Sequence, residues 1–351
     1  MSRERPVPHA KRVFRPLDLS AFPPGARTDL SVPLSQDSLG RAEAVPFIVV
    51  RGATPGPVLG ISAAVHGDEL NGIRIIHRLL DRVDPATLRG TLLCAPVANV
   101  PSFKAGQRHF PEDLVDLNHV FPGKRDGKPS EQYAYAFRKT FLEAVDYLVD
   151  IHTASEGRIN SFYVRADLHS PAAREMARLL APEIVLHGRS GDGTLRGAAR
   201  RGDKPAITLE AGNPDQFQGK IARRGLYGMT ELMEALGMID EAPASKTPAP
   251  PVICSESRWL RTRSGGLLQL DVDLTDRVEK GQEIGKVLST FGHLEESLKA
   301  PADGVVIGRS RSPLAVPGTR YCHLGTVGEP RPPKAPLEGR MARPLRESRG
   351  S

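Results

Sequence analysis

A chain of 351 residues with 39% hydrophobic and 25% charged residues is long enough for two domains and too apolar to be disordered throughout. Aromatic residues at 5% speak against stacking platforms for single-stranded nucleic acid, and the +7 formal charge, scattered along the chain and enriched at its ends, reads as a solvated basic surface. No stretch offers the roughly 18 unbroken apolar residues of a membrane span, and the opening MSRERPVPHAKR is polar where a signal peptide turns apolar; a cytoplasmic protein with no membrane or nucleic-acid partner is expected.

Residues 1–44, rich in Pro, Arg and Ser, read as an arm or edge strands. From Val45, VPFIVVRGATPGPVLGISAAVHG gives two apolar runs divided by a Gly/Pro turn, the second dense enough for a strand buried on both faces. Apolar residues at Leu70, Ile73, Ile76, Leu79 and Leu80 carry the three-four spacing of a helix. TLLCAPVANV, YLVDIHT and PAITLEAG read as further buried strands, and helical patterns cover Glu131 to Val145, Ala172 to Leu180 and Leu226 to Leu236, the last stopped by Gly237. Strands alternating with helices over 45–240 predict an α/β fold. The Pro/Ala-rich segment 241–256 reads as a linker. Residues 257–325 show short strand runs and Gly turns, an all-β pattern, and 326–351 read as a disordered tail. Cys94, Cys254 and Cys322 are scattered and odd in number, which fits neither a disulfide framework nor a CxxC zinc knot.

The chemistry concentrates at strand ends. His66 and Glu69, three residues apart in AAVHGDELNG at a strand-to-helix junction, can turn an imidazole and a carboxylate toward one point. A catalytic zinc site takes three protein ligands and keeps one position open, and His152, ending the strand YLVDIHT, supplies the third if parallel strands bring their carboxyl ends into one crevice. Glu210, ending AITLEA, lies at the same predicted sheet edge, where a carboxylate among apolar neighbours suits a general base. One Zn²⁺ per chain is expected, although a His/Glu/His set accepts several divalent ions.

With these residues in view, the chain resembles the succinylglutamate desuccinylase/aspartoacylase family, a branch of the carboxypeptidase A-like zinc hydrolases. The resemblance runs from about Ile48 to Met238 through HGDELNG, RHFPEDLVDLNHVFPG, DIHT and ITLEAG, in the family's order. It implies a mixed, largely parallel sheet flanked by helices, zinc on His66, Glu69 and His152, Glu210 as general base, and Arg108 as the cation that polarises the scissile carbonyl. It also implies substrate binding by Asn118 and by the next residue. There the sequence departs from the pattern, since the family's DLNR is DLNH here and His119 cannot supply a guanidinium's bidentate fork to a substrate carboxylate. Arg158 and Arg165, which follow the third ligand, are candidate replacements.

The C-terminal segment is similar to the biotinyl/lipoyl-type barrel-sandwich module that many members of the family carry. The turn at Ser289 to Gly292, where a carrier protein presents its lysine, has none, so a structural, oligomerising or site-shielding role is expected. The implied activity is zinc-dependent removal of an acyl group from a small N-acylated amino acid or amine. The rival readings are a carboxypeptidase-like peptidase, which sits poorly with His119, and a metal-bearing protein without catalysis. Homo-oligomerisation stays open.

Overall fold

The computed structural model describes residues 14–189, 191, 193–240 and 249–332. In chain order the elements are β1 (Ala26–Gln36), β2 (Ala42–Arg51), β3 (Thr54–Ala63), α1 (Asn71–Leu80), β4 (Arg89–Ala95), α2 (Val100–Ala105), α3 (Pro129–Thr140), β5 (Tyr147–His152), β6 (Arg158–Asn160), β7 (Phe162–Ala166), α4 (Pro171–Leu179), β8 (Ile184–His187), α5 (Leu195–Arg201), β9 (Ala206–Ala211) and α6 (Gly219–Ala235). After them come β10 (Val252–Arg261), β11 (Gly266–Leu270), β12 (Arg277–Val278), β13 (Glu283–Leu288), β14 (Leu294–Lys299), β15 (Gly304–Ser310), β16 (Leu314–Ala315) and β17 (Arg320–Val327).

One large sheet runs in the order β1-β2-β4-β3-β5-β9-β7-β8-β10-β17-β15-β12, with β6 paired to β15. Its centre, β4-β3-β5-β9, is parallel, whereas β7 joins β9 antiparallel, so the sheet is mixed about a parallel middle. Helices cover both faces. Ile73, Ile76 and Leu79 of α1, Met176 of α4 and Met229 of α6 belong to one core, while Tyr133 and Phe137 of α3 and Leu195 of α5 belong to the other. Both cores use strand residues that are fully buried, which is why β3, β5 and β9 are apolar without alternation. A crevice above the carboxyl ends of the parallel strands is where an α/β sheet of this kind places its site.

Local sequence accounts for most helix ends. Asn99, Ser170 and Thr194 accept hydrogen bonds from backbone N–H groups in the first turns of α2, α4 and α5, as N-caps do. At the end of α6, Gly237 takes φ +69°, and Met238 N donates to Met233 O, closing the helix in a Schellman arrangement that favours glycine.

The differences from the sequence reading have local causes. The strand expected over TLLCAPVANV ends at Ala95, before Pro96, and Val100 opens the short α2 instead. The helix expected to reach Val145 stops at Thr140 and continues as a single 3-10 turn, Leu142–Ala144. Helix α6 starts at Gly219, ahead of its apolar spacing, and α5 and β6 to β8 are too short to announce themselves by periodicity.

Toward the C-terminus, β10 begins at Val252, inside the span expected as linker, and pairs parallel with β8, so the large sheet continues directly into the C-terminal strands. A second sheet, β14-β13-β11-β16, packs on these through Leu268, Val287, Leu298 and Leu324. No helix is present between β10 and β17. The expected linker over 241–248, the tail over 333–351 and residues 1–13 of the expected arm lie outside the described residues; within the rest of that arm, β1 forms the sheet edge on β2. Among the described residues no helix is long and apolar enough to cross a membrane.

Candidate metal and substrate site

The loop after β3 is held by its neighbours. Ala64 takes φ +49°, and Asn99 donates from its backbone N to Ala64 O and from Nδ2 to Val65 O, pinning the turn that delivers His66. Gly67 packs so closely on α2 that a Cβ there would collide with the Ser102 carbonyl, so only glycine lets the loop pass. Glu69 then points back beneath the loop, and its Oε2 accepts from Thr153 N at 3.1 Å.

His66, Glu69 and His152 are 2%, 1% and 4% exposed, and their donor atoms converge. His66 Nδ1 lies 2.8 Å from Glu69 Oε1, His152 Nδ1 lies 2.8 Å from Glu69 Oε2, and the two Nδ1 atoms are 3.3 Å apart. The opposite ring nitrogens are each backed by a carboxylate, Asp116 Oδ1 at 3.0 Å from His66 Nε2 and Asp150 Oδ2 at 2.9 Å from His152 Nε2. Asp150 is itself fixed by the Ser62 hydroxyl at 2.7 Å. If each Nε2–H donates to its carboxylate, both Nδ1 lone pairs face the Glu69 carboxylate, an arrangement that calls for a cation between them. Ligand atoms of a tetrahedral ion bound at roughly 2.0–2.1 Å lie about 3.4 Å apart, close to the 3.3 Å between the two Nδ1 atoms, and with Glu69 facing both the donor set suits a metal. Burial opposes ionisation of Glu69, yet when both imidazoles are protonated in place of a bound cation their charges and hydrogen bonds outweigh it and hold the carboxyl well below the ordinary range.

Arg108 lies against this cluster. Its Nη1 is 3.1 Å from Glu69 Oε1, from His66 Nδ1 and from Ser155 Oγ, and its Nη2 donates to Asp116 Oδ2 at 2.8 Å. Burial raises Asp116, but the hydrogen bond from His66 and the charges of His66 and Arg108 dominate and keep it ionised. Asn118 spans two parts of the site, with Nδ2 3.4 Å from His152 Nε2 and Oδ1 accepting from Leu195 N at 2.8 Å. His119, its side chain 71% exposed, stands at the rim 3.8 Å from Asp116 Oδ2.

Glu210 is the register partner of His152 across the parallel β5–β9 pair, which brings the expected base to the expected ligands. Its Oε1 accepts from Arg165 Nε at 3.1 Å, and its Oε2 from Asn160 Nδ2 at 3.3 Å. Arg165 also donates through Nη2 to Tyr163 OH at 2.7 Å, so it is engaged by Glu210 and Tyr163 rather than free for a substrate.

All seven residues expected from sequence border one cavity of about 640 Å³. The fold adds others. Asp150 was readable in principle, because Asp-x-His on a strand puts both side chains on one face. Asp116 sat unassigned inside the DLNH motif. Arg196 had no signal: in GTLRGAARR it is one basic residue among three, yet it is 8% exposed, borders the cavity, and has Gly188 O as its hydrogen-bond partner, with no carboxylate paired to it among the described residues. Burial and the neighbouring Arg165 lower its guanidinium to about 10. The three cysteines are free and buried, and burial pushes the Cys94 and Cys322 thiols up to about 12.

Comparisons with known proteins bear on the family and the fold. A family model described as the succinylglutamate desuccinylase/aspartoacylase catalytic domain matches residues 55–236. An N-alpha-acetyl-L-2,4-diaminobutyric acid deacetylase of Halomonas elongata is 29% identical over 310 residues, covering 82% of this chain and 87% of its own. A succinylglutamate desuccinylase of Burkholderia cenocepacia is 28% identical over 183 residues, covering 46% of this chain and 51% of its own. Among solved structures, the product-bound ectoine utilization protein EutE (DoeB) from Ruegeria pomeroyi shares the fold with a TM-score of 0.77 at 23% identity, covering 87% of this chain and 98% of its own. With the catalytic-domain model spanning more than half of the sequence, the chain belongs to the succinylglutamate desuccinylase/aspartoacylase family.

Proposed function

We propose that this protein is a zinc-dependent deacylase that cleaves the amide bond of a small N-acylated amino acid. The observation that carries the reading is the convergence of His66, Glu69 and His152, each imidazole backed by a carboxylate, in one cavity with Glu210. His66, Glu69 and His152 would hold the zinc ion, which would supply Lewis acidity to lower the pKa of water toward 7 and to polarise the acyl carbonyl. Glu210 takes the proton of the attacking water and returns it to the leaving amine, with Arg165 and Asn160 fixing its carboxylate. Arg108 presents a fixed cation to the developing oxyanion.

Arg196 is the cation that we assign to the substrate carboxylate, in the role that His119 cannot fill. It is buried on the cavity wall and, among the described residues, has no carboxylate within ion-pair distance. The Halomonas elongata relative, named as a deacetylase of an N-acetyl diamino acid, supports a substrate of this class. We read the C-terminal sheets as the expected barrel-sandwich module acting as a wall of the site, a role supported by Trp259 and Arg320 at the cavity edge. The free, buried cysteines suit a reducing, cytoplasmic compartment.

The test is Glu210→Gln with metal analysis and a hydrolysis screen over N-acyl amino acids and short peptides. The variant is expected to keep its zinc and to lose turnover by about 10²-fold or more. Retained turnover removes Glu210 from the mechanism, and a preference for peptides turns the reading to a carboxypeptidase.

A further inference from the structure

The strand that carries Asn160 belongs to the catalytic half in sequence and to the C-terminal half in its pairing. β6 has three residues, too few to hold a position alone, and among the described strands it pairs only with β15. The two run antiparallel, with Gly308 opposite Asn160, Arg309 opposite Ile159 and Ser310 opposite Arg158. Further bonds fix the ends of the pairing. Ser161 donates to Ile307 O from its backbone N at 3.0 Å and from Oγ at 2.9 Å, and Arg311 N donates to Gly157 O at 2.9 Å. β15 is itself anchored, since Val305 and Ile307 share a buried cluster with Tyr163 of β7, Ile184 and Leu186 of β8 and Cys254 of β10.

Asn160 carries this placement to Glu210. It is buried on the cavity wall, and its Nδ2 donates to Glu210 Oε2 while Arg165 holds Oε1. The terminal torsion of a glutamate is soft, so a carboxylate held at one oxygen can swing, whereas two donors from different strands fix its plane. A base must keep that oxygen within hydrogen-bond reach of the proton it takes. The other end of the Asn160 amide, Oδ1, lies against Gly308, where a Cβ would collide with it, so glycine lets β15 and the amide pack together. From the catalytic half, Asn213 Oδ1 accepts from Asn160 N at 3.3 Å, so the residue is gripped on both sides.

We propose that Asn160 is a positioning residue for Glu210 and that β15, through Gly308, sets its place, so that the C-terminal strands act on the proton-transfer step in addition to walling the cavity. The proposal rests on the deacylase reading and deepens it by giving the C-terminal half a part in the chemistry.

The experiment is a double-mutant cycle on the zinc-loaded protein, with N-α-acetyl-L-2,4-diaminobutyrate and N-succinyl-L-glutamate as probes. Asn160→Ala is expected to lower kcat by about tenfold, the value of a hydrogen bond to a charged group, with KM and zinc content within about twofold of the parent. Asn160→Asp keeps the shape and removes the donor, so it is expected to lose at least as much; a role in packing alone leaves it near the parent. Gly308→Ala displaces the amide and is expected to lower kcat by about three- to tenfold. Because that loss acts through Asn160, adding Gly308→Ala to Asn160→Ala is expected to cost less than about a further twofold, where independent effects multiply. Ser161→Ala removes one bond to β15 without adding bulk and tests the same link if Gly308→Ala folds poorly; a loss of about two- to threefold that vanishes on the Asn160→Ala background is expected. Crystal structures supply a readout apart from turnover, with Glu210 expected in one orientation in the parent and turned from it in Asn160→Ala and Gly308→Ala. Unchanged kcat in both Asn160 variants, or losses that multiply in the double variants with Glu210 unmoved, overturn the proposal and leave the deacylase reading in place. A parent that hydrolyses neither probe nor other N-acyl amino acids, yet whose Glu210 turns in both variants, sustains the positioning and refutes the deacylase reading.

Discussion

Asp150→Asn tests the physical basis of the metal site. Asp150 is fully buried, with Oδ2 2.9 Å from His152 Nε2 and Oδ1 accepting from Ser62 Oγ at 2.7 Å. Asparagine preserves the shape and can keep both hydrogen bonds, one through its carbonyl and one through its amide, so the substitution removes charge with little loss of packing. A hydrogen bond to an ionised acceptor exceeds a neutral one by about 1–1.5 kcal/mol, which corresponds to roughly tenfold in metal affinity at His152 Nδ1. The range for carboxylates that back metal-binding histidines, about 10- to 100-fold, brackets the same value. The assay is zinc competition against a chelator of known affinity, with turnover measured both at limiting and at saturating zinc. The zinc Kd is expected to rise about tenfold, and turnover to recover most of its loss at saturation. An unchanged zinc Kd in a folded Asp150→Asn protein refutes the argument that the buried carboxylate sets up the Nδ1 lone pair for a metal.

Three further outcomes follow from the same structure. Arg196→Gln is expected to raise KM for N-acyl amino acids by about 10- to 100-fold, the value of a charge-assisted pair, while leaving the corresponding N-acyl amines without a carboxylate nearly unaffected; equal effects on both classes move the carboxylate site elsewhere. Gly67→Ala forces a Cβ onto the Ser102 carbonyl, so a loss of about 2–3 kcal/mol in urea unfolding together with reduced zinc content is expected, and wild-type values for both contradict the close approach. His323 is 3% exposed, and burial, aided by Arg165, Arg158 and Arg320, depresses it to about 3. Between that value and an unfolded pKa near 6.5, the unfolded chain binds the extra proton, so this contribution to stability is complete above about pH 6.5 and falls by about 1.4 kcal/mol per unit as pH drops. Urea midpoints from pH 7 to 4.5 should therefore fall less steeply for His323→Gln than for the parent; parallel curves exclude a neutral, buried His323.

Much of the site was legible before the fold because its residues close strands. His152 and Glu210 each end an apolar run, and His66 and Glu69 follow one, so a parallel sheet suffices to bring them to one edge, and the β5–β9 register does so directly. The site's cations were less legible. Arg108, Arg165, Arg158 and Arg196 are chemically alike in sequence, yet the fold gives the first two carboxylate partners, leaves Arg158 against Trp259, and buries Arg196 in the cavity wall.

The sequence by itself determined the alternation of buried strands and amphipathic helices and the place of His66, Glu69, His152 and Glu210 at strand ends, because these depend on spacing along one segment, whereas the departure at His119 came from the family resemblance. Tertiary structure alone decided that β10 would extend the large sheet rather than begin a detached unit, and that β15 would hold β6 at the cavity mouth. It also decided which arginines, among the described residues, have a carboxylate partner. The pairing of Ile159 with Arg309 across β6 and β15 and the desolvation of a charge are properties of what lies opposite in space, and no local pattern encodes them.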